Sequence, residues 1–105
     1  MATLGEGKYK VFLEKHQHDD DIIYIVGGGQ KSHVGGMVFC EPGKKPMVIR
    51  LENHYDYVVL EPIAIAACKK YKKNVLAVGG IHIDDASKEE IEIIVNNCKD
   101  LTLLI

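Results

Sequence analysis

Three histidines occupy positions at which their side chains could bind a ligand. His33 follows the glycine pair Gly27–Gly28 after an apolar run, and His82 follows Gly79–Gly80 after another. His54 lies in a polar segment just before an alanine-rich run. Glycine lets the backbone approach a ligand closely, and imidazole can bind phosphate or metals and transfer protons near neutral pH. The repeated pattern therefore predicts a ligand site where strands end.

These segments would form a small polar concavity if the fold brings them together. A single histidine is more often a structural residue, but three histidines near glycine-rich or polar turns favour a shared site. A lysine in the first glycine loop and an aspartate two residues after the last histidine would add charge to it. The candidate ligand-binding residues are Gly27, Gly28, Lys31, His33, His54, Gly80, His82 and Asp84.

Other chemistries have weaker support in the sequence. His33, His54 and His82 could bind zinc or iron, but none of them forms a closely spaced ligand pair, so no metal is expected. The stretch Gly27–Ser32 lacks the spacing of a phosphate-binding P-loop, and no serine or cysteine lies in a nucleophile motif. A protein without catalytic activity is favoured, with a metal-dependent enzyme as an alternative.

The composition is typical of one small globular domain. The chain has 105 residues, of which 47% are hydrophobic and 27% are charged, and its net charge is −2. This balance gives no general attraction to nucleic acid or to an anionic membrane, and no apolar stretch reaches the ~20 residues of a membrane span. Residues 1–7 lack the pattern of a secretory signal and are expected to be flexible. Three cysteines without a CxxC pair predict reduced, structural thiols in a cytoplasmic protein.

Hydrophobic patterning predicts an α+β fold for the single domain 1–105. The predicted strands cover Tyr9–Glu14, Ile22–Val26, Ser32–Cys40, Pro46–Leu51 and Val75–Ile81, and the predicted helices are Tyr57–Tyr71 and the segment after the capping box Ser87–Glu90. Pro62 suggests that the first helix begins near Glu61 or is kinked. The order β-β-β-β-α-β-α predicts a largely antiparallel sheet of about five strands, paired as a meander, with both helices packed on it. The unbroken apolar run Ile22–Val26 is expected to be covered on both faces and to end at Gly27.

Several segments together resemble one family of small proteins. They are Val26–Gly28, Ser32–Gly35, Asn53–His54, Ile63–Ala64, Val78–Asp84 and Ser87–Ile91, and Gly80–Asp84 is the most specific of them. The chain resembles the LpdD-like proteins, which are described as prenylated flavin chaperones or as the D subunit of gallate-type hydroxyarylate decarboxylases. That family is related to proteasome-assembly-chaperone-like proteins, which have an α/β sandwich and tend to dimerise.

The resemblance implies a homodimeric accessory protein that binds prenylated flavin mononucleotide (FMN) or delivers it to a partner decarboxylase. By position it implies ligand contacts at Gly28, His33, Gly35, His54, His82 and Asp84. The glycine loops and Lys31 would then bind the phosphate, while the histidines would hydrogen-bond to it or to the polar ring edge. A protein-interaction module of the proteasome-assembly-chaperone type, without a small ligand, is the alternative.

Overall fold

The computed structural model describes residues 1–105 and contains six strands and two α-helices. The strands are β1 (Ala2–Leu4), β2 (Val11–Gln17), β3 (Asp21–Gly29), β4 (Lys31–Cys40), β5 (Met47–Arg50) and β6 (Asn74–His82). The helices are α1 (Tyr57–Tyr71) and α2 (Lys88–Leu101), and short 3₁₀ helices cover Gly7–Tyr9 and Thr102–Leu104. Both predicted helices and all five predicted strands are present, with some of their ends shifted.

All six strands form one sheet in the order β1-β2-β3-β6-β4-β5. Only β3 and β6 pair in parallel, so the α+β class and the largely antiparallel sheet are confirmed. The predicted meander is wrong between β3 and β4, because β6 lies between them. No residue of β6 is exposed. This is expected for a strand at the centre of a sheet, which pairs with a neighbour on both edges. Gln30, the only residue between β3 and β4, donates its N–H to the carbonyl of His82 at 2.8 Å, so β4 continues along β6.

The first residues of the chain contribute an edge strand, although the sequence predicts a flexible segment there. Leu4 pairs with Val11 of β2 and packs, partly buried, against the core, which anchors β1. Tyr9, predicted to begin a strand, lies instead in a 3₁₀ helix. The glycines Gly27–Gly29, predicted to interrupt a strand, are the last residues of β3 and pair with β6.

Both helices pack on the same face of the sheet and form the core there. The core contains 19 buried residues, among them Val11, Tyr24, Val38 and Ala77 of the sheet and Leu60, Ile63, Ile94 and Leu101 of the helices. Burying each valine, leucine or isoleucine of this core is worth about 1.5–3 kcal/mol relative to leaving it in water. This two-layer arrangement agrees with the smallest extent of the molecule, 18 Å.

The opposite face of the sheet, called the open face below, carries no helix. In register, its rows are Glu14, Ile25, Val78, Met37 and Ile49, and His16, Ile23, Leu76, Phe39 and Met47. Ile25 is 37% exposed, and Met47 and Ile49 are each 56% exposed. The prediction that Ile22–Val26 is covered on both faces is therefore wrong, because only alternate residues of this run point into the core. The open face is a contiguous apolar surface, of the kind that marks interaction sites.

The helix α1 begins at Tyr57 and continues through Pro62, so it does not start near Glu61. A proline within a helix leaves the carbonyl four residues earlier without its N–H donor. Here that carbonyl belongs to Val58, and both residues lie on the exposed side of the helix, where water can replace the missing donor. Neither helix is long and apolar enough to cross a membrane.

The capping box predicted at the start of α2 is confirmed. The Ser87 hydroxyl accepts the Glu90 N–H at 3.1 Å, and the Glu90 carboxylate accepts the Ser87 N–H at 3.0 Å. The second carboxylate oxygen of Glu90 binds the Lys8 ammonium and the Tyr9 hydroxyl. These contacts, led by that of Lys8, lower the pKa of Glu90 from 4.5 to about 2. One side chain thus joins α2 to the segment between β1 and β2.

The three cysteines are free and buried, in agreement with the sequence prediction. Burial raises the pKa of the Cys98 thiol to about 12. Burial is also the main cause of the raised pKa of Cys40, with a further contribution from Cys68. A thiol whose pKa is raised stays protonated near neutral pH and is a poor nucleophile. The cysteines therefore serve as small apolar side chains of the core.

Replacing Glu90 by Gln is expected to remove a pH-dependent part of the stability. Because the pKa of Glu90 is lowered by folding, its contribution is complete above about pH 4.5 and is lost as the pH falls towards about 2. The melting temperature of Glu90→Gln, followed by circular dichroism, should lie below that of the wild type at pH 7 and converge with it on acidification. Glu89→Gln, in the same helical turn but without an ion pair, is the control. A constant difference across this pH range would contradict the assignment.

Candidate functional site

The structure brings the three predicted histidines together at one end of the sheet. The ring centroids of His33 and His54 are 5.0 Å apart, and those of His33 and His82 are 5.8 Å apart. The three come from β4, from the β5–α1 connection and from the end of β6. This convergence follows from the insertion of β6 beside β4, which the sequence analysis did not predict.

His33 reaches the cluster because β4 bulges there. The register of β4 against β6 is shifted between Ser32 and Gly36. The residues His33–Gly35 are accommodated opposite Gly80, and extra residues of this kind change the direction in which a strand's side chains point. The imidazole of His33 consequently lies against the backbone of Gly80, towards the start of α1.

Asp56 is the central residue of the site, and the sequence analysis missed it. One carboxylate oxygen accepts the N–H of Ile81 at 3.0 Å, and the other lies 3.2 Å from Nε2 of His33. Only 12% of the Asp56 side chain is exposed. Asp56 is also the N-cap residue of α1, but its side chain makes no capping bond to its own helix. An aspartate directly before a helix normally indicates a cap, so its sequence position gave no sign of this role.

The other two histidines are held by oxygens close in sequence. Nδ1 of His54 donates to the carbonyl of Glu52 at 2.7 Å, across a turn in which Asn53 has a φ of +60°. Nε2 of His82 lies 2.8 Å from a carboxylate oxygen of Asp84. Each ring of the cluster is therefore oriented by one hydrogen bond within the chain.

Three glycines make room for this arrangement. A Cβ at Gly80 would lie 2.9 Å from the carboxyl carbon of Asp56, and a Cβ at Gly35 would overlap an oxygen of the same carboxylate. Gly79 has a φ of +140°, and a Cβ there would overlap the carbonyl oxygen of Val26. Gly35 and Gly80 thus support the predicted site by leaving space for Asp56.

Of the remaining predicted residues, only Asp84 has a side chain that bonds to the cluster. Gly27 packs beside Phe12, and the N–H of Gly28 donates to the hydroxyl of Ser32 at 3.0 Å. Lys31 is exposed and pairs with His82 in the sheet, but its side chain makes no ion pair. Asp84 is 79% exposed and takes part only through His82 and through the Gln30 side chain, which accepts its N–H. The N–H groups of Gly28 and Gly29 bond within the fold, and the loop adjoins the cluster only through its backbone pairing with His82.

A cavity of about 500 Å³ opens beside the cluster, between α1, α2 and the end of β6. Small-molecule sites usually measure ~300–1,000 Å³ and combine apolar walls with a few polar groups. The polar end of the cavity contains His33, His54, Asp56 and His82, and its apolar walls include Val58, Val59, Ile83, Ile91, Ile94 and Val95. The three histidines of the polar end were predicted from the sequence, whereas Asp56 and the walls were not, since Ile91, Ile94 and Val95 have the spacing of ordinary core residues.

No group of three or more His, Cys, Asp or Glu side chains has the geometry to hold a metal ion. The alternative of a metal-dependent enzyme therefore gains no support from the cluster. The arrangement instead favours binding of an amphipathic organic molecule.

Replacing Asp56 by Ala is expected to lower the free energy of unfolding by about 1–3 kcal/mol, because the partly buried N–H of Ile81 loses its acceptor. Urea denaturation measures this change. Asp56→Asn keeps an oxygen for Ile81 and should recover part of the loss. Asp84→Ala, which removes an exposed aspartate bonded to the neighbouring histidine, should stay within about 0.5 kcal/mol of the wild type. Equal losses at the two aspartates would contradict the assigned role of Asp56.

Comparison with known proteins identifies the family. No curated protein shows significant similarity to the chain. A family model described as the prenylated flavin chaperone LpdD-like domain matches residues 5–105, which is nearly the whole chain. The match agrees with the resemblance carried by the glycine–histidine segments and includes every residue of the cavity. The chain therefore belongs to the prenylated flavin chaperone LpdD-like family.

Proposed function

We propose that this chain is a non-catalytic cytoplasmic chaperone that binds prenylated FMN in the cavity and delivers it to a partner decarboxylase. Membership of the family supports a role with prenylated flavin. The observation that carries the proposal for this chain is the cavity itself, in which three imidazoles face apolar walls. A prenylated flavin has the same division, since an apolar ring system adjoins a polar, hydrogen-bonding edge.

The residues present fit such a ligand in size and in chemistry. The volume of about 500 Å³ lies in the range of small-molecule sites. Val59, Ile83 and Ile94 would pack against the apolar part of the ring system, while the imidazoles would hydrogen-bond to its polar edge. The cavity thus offers both the packing surface and the hydrogen-bonding groups that holding an amphipathic molecule requires.

Binding of reduced prenylated FMN, measured by calorimetry under anaerobic conditions, tests this proposal. The wild type should bind the cofactor, and its melting temperature should rise at saturating ligand. Ala86→Phe, which places an aromatic ring in the cavity, should weaken binding at least tenfold. Ala66→Phe, on the side of α1 away from the cavity, is the control and should bind normally. A wild type that gives neither heat nor a shift in melting temperature would contradict the proposal.

Delivery needs a separate experiment. A decarboxylase without cofactor should regain activity faster with the loaded chain than with the same concentration of free cofactor. Ala86→Phe should lose this advantage. Equal rates of reactivation with and without the chain would show that the protein binds the cofactor but does not deliver it. The interaction-module alternative is supported if the wild type binds no flavin while the variants His33→Ala and His82→Ala still bind the decarboxylase normally.

The open face supports the further proposal that the chain is a homodimer. The six strands, which are 3, 7, 9, 10, 4 and 9 residues long in chain order, cover roughly 670 Å², given strand spacing of ~4.8 Å and ~3.3 Å per residue. Stable interfaces bury about 800 Å² per partner. Two open faces can therefore stack as sheets do, ~10 Å apart, with Ile25, Val78 and Met37 at the centre. The cavity lies on the helical side and stays accessible in such a dimer.

Replacing Ile25 by Lys is expected to convert the dimer to a monomer, because a charge would be buried at the centre of the interface. Size-exclusion chromatography with light scattering measures the mass of each species. Leu103→Lys changes a side chain that is 80% exposed on the last 3₁₀ helix and should leave the dimer intact. A wild type that is monomeric at micromolar concentration would contradict the dimer proposal, but not the proposal for the cavity.

A further inference from the structure

Each imidazole at the polar end of the cavity has one nitrogen whose role is fixed by the protein. Nδ1 of His54 faces the carbonyl of Glu52, while Nε2 of His33 and Nε2 of His82 face carboxylates. A carbonyl and an ionised carboxylate can only accept hydrogen bonds, so each of these nitrogens carries a hydrogen and donates it. The opposite nitrogen of each ring has no partner within the chain and accepts when the imidazole is neutral.

The polar end of the cavity is therefore rich in acceptors and poor in groups that hold a dianion. No lysine or arginine lines the cavity. Both oxygens of Asp56 already accept hydrogen bonds, and the carboxylate would repel a phosphate. The glycine loop does not line the cavity, and its amides at Gly28 and Gly29 donate to Ser32 and Lys10. A phosphate at this end would lose hydration without gaining a cationic partner fixed in the structure.

Arg50, the only arginine of the chain, does not line the cavity but lies beside Tyr55, which lines it and is 66% exposed. The guanidinium carbon is 5.2 Å from the ring centroid of Tyr55 and 5.7 Å from that of Tyr57. Arg50 makes no ion pair within the chain, and the two aromatic rings restrict where its guanidinium can go. A guanidinium held in this way keeps its N–H groups for a phosphate, which it can bind with two hydrogen bonds.

We infer that the flavin enters ring-first, with its N–H-bearing pyrimidine edge at the three imidazoles and its phosphate outside the cavity at Arg50. The inference rests on the proposed function and assigns the orientation of the ligand. Arg50 thus binds the phosphate in place of the glycine loop and Lys31, the contacts expected from the sequence. A neutral imidazole nitrogen without a partner in the chain accepts the hydrogen of the ring N–H. The apolar walls enclose the rest of the ring system.

Two matched ligands and two variants test the orientation by calorimetry. The ligands are prenylated FMN and the same molecule after removal of its phosphate by phosphatase. The wild type should bind the dephosphorylated form no more than about tenfold more weakly, as expected for the loss of one exposed charged contact. Arg50→Ala should weaken binding of prenylated FMN to the level of the dephosphorylated form and leave the dephosphorylated form unaffected. Lys31→Ala should change neither affinity.

A third ligand tests the ring edge. Prenylated FMN methylated on the imide nitrogen of its pyrimidine ring lacks the N–H and should bind at least tenfold more weakly. Undiminished binding of this ligand, or binding of the phosphorylated form alone, would overturn the orientation while leaving the proposed function intact. An equal effect of Arg50→Ala on both phosphorylation states would overturn it as well. Failure of the wild type to bind any of the three would remove the proposed function and the orientation together.

Discussion

The two hydrogen bonds of the Asp56 carboxylate hold together the parts of the molecule that form the site. One bond fixes the end of β6 through the N–H of Ile81, and the other orients His33 on the bulge of β4. Because Asp56 is the residue from which α1 starts, the same carboxylate determines where the helix meets the sheet. The helix gives up a side-chain cap, worth about 1 kcal/mol, and in return the partly buried N–H of Ile81 is satisfied. The spacing between α1 and the histidines, and hence the polar end of the cavity, depends on this contact.

Local features of the fold could be predicted from the sequence, whereas the pairing of distant strands could not. The capping box at Ser87 follows from short-range chemistry that acts within a few residues, whereas Pro62 gave a misleading signal for the start of α1. The position of β6 depends on contacts between segments about 50 residues apart, such as Ile22 with Val75. A short link such as Gln30 normally joins paired strands. Here the chain instead passes from β3 to β4 across the width of β6, which no local pattern reveals.

The candidate site was predictable in part for the same reason. Glycine pairs followed by histidine mark strand ends, so His33 and His82 could be recognised, and their convergence is a property of the sheet order. Asp56 resembled an ordinary helix cap, and the apolar walls resembled an ordinary core. Gly27 and Gly28 had the residue types of an anion site, but their N–H groups and neighbouring space are used within the sheet. Residue type therefore identified the polar groups, and only the tertiary structure separated binding groups from structural ones.

The central place of β6 has a consequence for the protein as it is made. The ribosome completes β3 and β4 long before residues 74–82, so the nascent chain holds two apolar strands whose inner edges have no neighbour. Unpaired edges of this kind can associate with other polypeptides. The gap closes only when β6 enters between strands already synthesised. The fold therefore has many contacts between residues distant in sequence, and such contacts slow folding. Heavy overproduction should therefore yield inclusion bodies more readily than the small size of the chain suggests, and slower translation at lower temperature should relieve this.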